Sequence, residues 1–202
     1  VEKAALDRMP APDFRKLTPQ HLDDVSQLFD AVRESEDAWD RVDRWVADLY
    51  GLSAIDLRII ADTLAYNLPF ADSKLSAQSS PPPAMTEKFC TLLQEELAPW
   101  AQRFGTAFEV RRMPTRATSP WLCLVLSNDR SEPDPIDTQD WEGLLALADS
   151  SAASEIMIDD GTGALLIGRL DQSRYWSETQ AHLLAQHIIW SHLDFLKGRD
   201  SA

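Results

Sequence analysis

The 202-residue chain is short of cysteine, of glycine and of positive charge, and each shortage removes a class of function. Cys90 and Cys123 are the only cysteines. One lies in a helical pattern and the other in an apolar strand pattern, so they do not make a metal-spacing pair. They read as small buried hydrophobes in a reducing compartment, which predicts a cytoplasmic address. The seven glycines nowhere form a phosphate-cradling loop, so no P-loop is present and no cofactor is predicted. No apolar run is long enough to cross a bilayer and no signal peptide is seen, so no membrane partner is expected. The chain begins with Val1, which fits either loss of an initiator Met or a fragment of something longer. Lys and Arg total 19 against 33 Asp and Glu, a net charge of −14 with a pI near 4.6. That balance opposes non-specific DNA binding by the chain alone, because phosphate contacts need cations. It is compatible with work beside a basic partner, or with mimicry of DNA. The acids are spread through helical segments, as on a solvated face.

What is present points to a folded chain: 44% hydrophobic residues and seven tryptophans. Thr18-Pro19 starts a helix with a stripe of Leu22, Val25, Leu28, Phe29 and Val32. Ser35 caps a second, where Trp39, Val42, Val46 and Leu49 repeat while Asp37, Asp40 and Asp43 are placed elsewhere. It ends at Tyr50-Gly51. Ser53 and Asp56 open a third as a capping-box variant, with the face Leu57, Ile60, Ala61, Leu64 and Leu68, stopped by Pro69. Short connections predict antiparallel packing of these stripes. Residues 70–84 turn small and polar and end in Ser79-Ser80-Pro81-Pro82-Pro83, a linker or surface loop. A fourth helix over 85–104 carries Phe89, Leu92, Leu93, Leu97 and Trp100, with a kink or early end expected at Pro99.

The second half mixes strands and helices. Strands are predicted at 108–113 and 121–127, a helix at 139–149 and a hairpin from Glu155 to Leu170 through an Asp-Gly turn. Ser177 with Gln180 then caps a long apolar helix running to Leu196. The order predicts an α+β fold: a helical amino-terminal half (1–69), the 70–84 connection, and a small antiparallel sheet packed by helices (85–202), either as two subdomains or as one continuous domain.

Catalytic patterns fail one by one. Ser80-Pro81-Pro82-Pro83 has the outline of the motif that holds a flipped base in DNA methyltransferases, but lacks the stacking aromatic. Pro133-Asp134 followed by Glu155 or Asp159 has the acids of a metal-dependent nuclease and lacks its lysine. His182, His187 and His192 step by five residues and share no face, so no metal site is assigned. No catalytic residue is assigned either. Two candidate contact sites remain. Arg111, Arg112 and Arg116, with Arg103, Arg130, Arg169 and Arg174, form a basic island in an acidic chain. They could dock nucleic acid or an acidic partner, or be ordinary surface arginines paired with local acids. Arg174-Tyr175-Trp176, at the strand-to-helix corner, is either a recognition corner or a packing plug.

Two segments carry a resemblance. Val42-Asp43-Arg44-Trp45-Val46-Ala47-Asp48-Leu49-Tyr50-Gly51-Leu52-Ser53 resembles an Asp-x-x-Val-x-x-Leu-Tyr-Gly-Leu-Thr/Ser segment near the carboxyl end of bacterial restriction–modification enzymes and adenine-specific DNA methyltransferases. Gly168–Trp176 followed by Ala181–Ala185 resembles an Arg-Tyr-Trp-then-helix ending of phage-defence proteins. The methyltransferase core is absent, so the resemblance implies a specificity, scaffold or accessory part and transfers no catalytic residue. The expected function is a non-catalytic interaction subunit or domain of a restriction or phage-defence system. It would act through a larger partner enzyme and touch DNA only indirectly. A metal-dependent nuclease using Asp134, Glu155 or Asp159, and an acidic DNA mimic, are the alternatives.

Overall fold

The computed structural model describes residues 13–113, 119–127, 138–159 and 163–197. The chain divides into two compact units, Val1–Leu57 and Arg58–Ala202. The fold is α+β: helices dominate the amino-terminal half, and a four-stranded antiparallel sheet packs against helices in the rest.

In the first unit a short 3-10 turn, Phe14–Lys16, precedes α1 (Pro19–Glu34). Thr18 caps α1 by accepting from the His21 amide at 3.3 Å, and His21 Nδ1 accepts from the Thr18 amide at 3.2 Å, a capping box with histidine in the acidic position. Ser35 closes α1 and caps a 3-10 turn, Glu36–Ala38, that leads into α2 (Trp39–Tyr50). Gly51 ends α2 in the left-handed conformation (φ 66°), which costs glycine little, and the Leu52 amide reaches back to Ala47 O. Ser53 and Asp56 cap α3 (Ala54–Asp62) reciprocally. The Ser53 hydroxyl and amide both bond the Asp56 carboxylate and hold its pKa below the usual range.

Within the second unit the backbone passes from Asp62 into a π turn, Thr63–Asn67, so the regular helix stops short of Leu68. The Ser73 hydroxyl takes the Leu64 carbonyl at 3.0 Å, replacing part of the lost helical bonding. The linker expected over 70–84 is mostly ordered structure. Ala71–Gln78 forms α4 with Ser73 and Ala77 buried, and Pro81 is buried too. Small residues at helical spacing pack closely against their neighbours, which a polarity reading mistakes for a loop. Next comes α5 (Pro83–Phe104), which continues through Pro99. Pro99 and Glu95 are both exposed, so water can take the carbonyl that the proline ring leaves unbonded. Gly105 (φ 69°) ends the helix.

The sheet contains β1 (Glu109–Met113), β2 (Trp121–Ser127), β3 (Glu155–Asp159) and β4 (Ala164–Leu170), in the order β1-β2-β4-β3. The inner strands β2 and β4 are covered on both faces, which is why each reads as a continuous apolar run rather than an alternating one. Leu124, Leu126, Leu165 and Ile167 face Phe89, Leu93 and Leu97 of α5 and Leu184 and Ile188 of α7 (Glu178–Ser191). Trp121, Cys123, Val125 and Leu166 pack with Leu145 and Ala148 of α6 (Thr138–Ser150). Cys90 lies on the α5 side and Cys123 on the α6 side, so the two cysteines belong to different clusters. The final helix breaks at His192, and α8 (Leu193–Lys197) redirects Phe195 and Leu196 into the α5 cluster. Among the described residues no helix is long and apolar enough to cross a membrane.

Candidate functional site

The Arg-Tyr-Trp corner is built by β4, the 3-10 turn Ser173–Tyr175 and the start of α7. Trp176 is 1% exposed. Its ring lies 5.0 Å from Phe89 and its Nε1 donates to Leu170 O at 2.9 Å. It is therefore a packing plug and leaves the set of candidate contact residues: a side chain with no exposed surface has none to offer a partner. Arg174 and Tyr175 are half-buried, with the guanidinium carbon 4.9 Å over the Tyr175 ring.

Beneath the corner sits Arg169, the member of the basic island that the fold buries. It ion-pairs with Glu155 at 2.8 Å, donates to Tyr175 O at 2.7 Å and to Gln180 Oε1 at 2.9 Å, and stands 5.5 Å over the Phe89 ring. Burial pulls its pKa down, while Glu155 opposes that shift. This guanidinium joins β3, β4, the corner and α7, which is structural work.

Among the described residues, the rest of the island does not assemble into one patch. Arg111 and Arg112 are neighbours on β1, so their side chains go to opposite faces of the sheet. Arg112 reaches Thr86 on α5 at 3.1 Å, and Arg111 lies 3.8 Å from Glu109. Arg103 is exposed in the last turn of α5. Arg116, Arg130, Pro133 and Asp134 lie outside the described residues. Of the other nuclease candidates, Glu155 is engaged by Arg169, and Asp159 is exposed at the end of β3. His182 pairs with Glu96 at 3.1 Å and contacts Gln186, and His187 stacks on His192. Among the described residues no three His, Cys, Asp or Glu side chains converge as metal ligands would.

Two features were missed by sequence reasoning. A groove of about 650 Å³ runs between α5 and the edge strand β1, lined by Cys90, Gln94, Phe108, Val110 and Ser127. The Gln94 amide donates to Phe108 O and accepts from Val110 N, both at 2.8 Å, so it covers part of the open edge of the sheet as a neighbouring strand would. The second feature is the apolar surface of the first unit. Leu22 (57% exposed), Phe29 (64%) and Trp39 (55%) were expected to pack between helices and instead face outward. Leu28, Ala38 and Ala47 are its only buried hydrophobics among the described residues. The helical periods showed where the stripes run, but not whether anything covers them.

Comparison with family models, with curated proteins and with solved structures finds no match to this chain. The class that the fold and these surfaces define is an acidic α+β protein with a packed sheet unit and an openly apolar helical unit.

Proposed function

We propose that this chain is a non-catalytic interaction subunit or domain of a bacterial restriction or phage-defence system, acting in the cytoplasm through a larger partner enzyme that makes most of any DNA contact. The observation that carries the reading is the exposed apolar surface of α1 and α2. An isolated amphipathic helix gains its stability by burying its stripe, and contiguous exposed apolar patches mark interaction sites. The restriction-enzyme-like segment Val42–Ser53 coincides with α2 and its Gly51 cap. The partial burial of Arg174 and Tyr175 leaves them as secondary contacts, and Arg111 and Arg112 stand on opposite faces of β1.

A tagged pull-down from the native host, with nuclease treatment and mass spectrometry, tests this. A stoichiometric methyltransferase, helicase or nuclease that survives nuclease treatment is the expected result. A lone monomer with no co-purifying protein would defeat the proposal.

A further inference from the structure

Trp39, Asp43 and Val46 follow one another at i, i+4 and i+7 and so share one face of α2. Asp43 lies off the Trp39, Val42, Val46 and Leu49 stripe but borders it on the Trp39 side. All three are exposed, Trp39 at 55% and Val46 at 36%, and no described cation ion-pairs with Asp43. From Pro19 to Tyr50 nine carboxylates stand against three arginines. An apolar face carrying its own carboxylate, in acidic surroundings, selects its occupant by sign. A second copy of this chain would set acids against acids across a two-fold axis. An anionic membrane is repelled in the same way.

Building on the accessory-subunit reading, we propose that the Trp39–Asp43–Val46 face of α2 docks a basic protein surface, an apolar groove or helix face that presents an arginine or lysine to Asp43. Trp39 is the anchor, because a large rigid aromatic loses little conformational freedom on binding. Asp43 fixes register and rejects acidic competitors.

The test uses the full chain and a labelled synthetic peptide with leucines at helical spacing flanked by lysines, read by fluorescence anisotropy. A matched peptide with glutamate for lysine is the control. The leucine–lysine peptide should bind and the glutamate peptide should not. Trp39→Ala and Asp43→Lys should each weaken binding about tenfold or more, as hot-spot truncations do, while Glu95→Lys on α5 changes it less than about twofold. No binding, equal binding of both peptides, or an equal loss with Glu95→Lys (a bulk charge effect) overturns the proposal. So does a dimer in light scattering that Trp39→Ala disperses, since the occupant is then a second copy. In the host pull-down, a partner retained in full by the Trp39→Ala/Asp43→Lys chain removes this face and leaves the accessory reading standing. Absence of any partner removes the accessory reading, and the peptide measurement alone then decides the docking face.

Discussion

The two units obey the same local rules and reach different ends. Thr18, Ser53 and Ser177 all cap helices through their hydroxyls, and Gly51 and Gly105 both end helices in the left-handed conformation. In Arg58–Ala202 the apolar faces meet: Leu93, Leu97, Leu165 and Ile167 have no exposed surface. In the first unit comparable stripes point outward. Local chemistry makes the helices; only the presence of an opposing surface decides whether a stripe becomes core. An amphipathic period therefore states a demand for burial and does not name what meets it.

Substitution can break that contrast. Trp176→Ala should cost about 3–5 kcal/mol by removing a fully buried indole, whereas Trp39→Ala should stay within about 0.5 kcal/mol, both read by denaturant unfolding. A large loss from Trp39→Ala would show the first unit to be packed after all. Arg169→Ala should rank next, at about 3 kcal/mol, because it removes a buried cation that holds Glu155, the Tyr175 carbonyl and Gln180 at once. Pairing it with Glu155→Gln in a double-mutant cycle should return part of that loss. Gln94→Ala should cost about 1 kcal/mol, the scale of a lost hydrogen-bonding side chain. It should also bring concentration-dependent association through the uncovered β1 edge, visible by light scattering.

The smallest effect concerns Cys90. Burial raises its thiol pKa from 9.0 to about 11. A raised acid pKa in the folded state means that the associated stability is complete below about pH 9 and declines as pH rises towards 11. Native Cys90 should therefore react with a disulfide reagent more slowly at pH 8 than the thiol of the unfolded chain. Equal rates would show the α5–β1 groove to be more open than its lining indicates.

Much of the fold was legible in the sequence because it rests on local signals: the caps, the two continuous apolar strands, and the strand–corner–helix passage at 164–191. The corner's alternatives resolve towards packing for Trp176. Three things were hidden. The helix Ala71–Gln78 carries too little large apolar surface for its period to show. The burial of Arg169 depends on strand register, which sets it opposite Glu155, and register is a tertiary fact. The separation of Arg111 from Arg112 was within reach, since consecutive residues of a strand cannot share a face and 108–113 has the pattern of a strand. The exposure of α1 and α2 was beyond reach, because it concerns the absence of an opposing surface.

The sheet core also has a schedule. Phe89, Leu93 and Leu97 are sealed by Trp176, Ile188 and Leu196, about one hundred residues later in the chain. Ser173 is tied back to Ser79 by its amide at 2.7 Å and its hydroxyl at 2.9 Å. On a ribosome adding roughly 5–20 residues per second, the apolar face of α5 would wait about 5–20 s for its cover. Between the emergence of α5 and that of residues 176–196, the nascent chain carries this apolar face uncovered, and that interval is when it is most prone to stick.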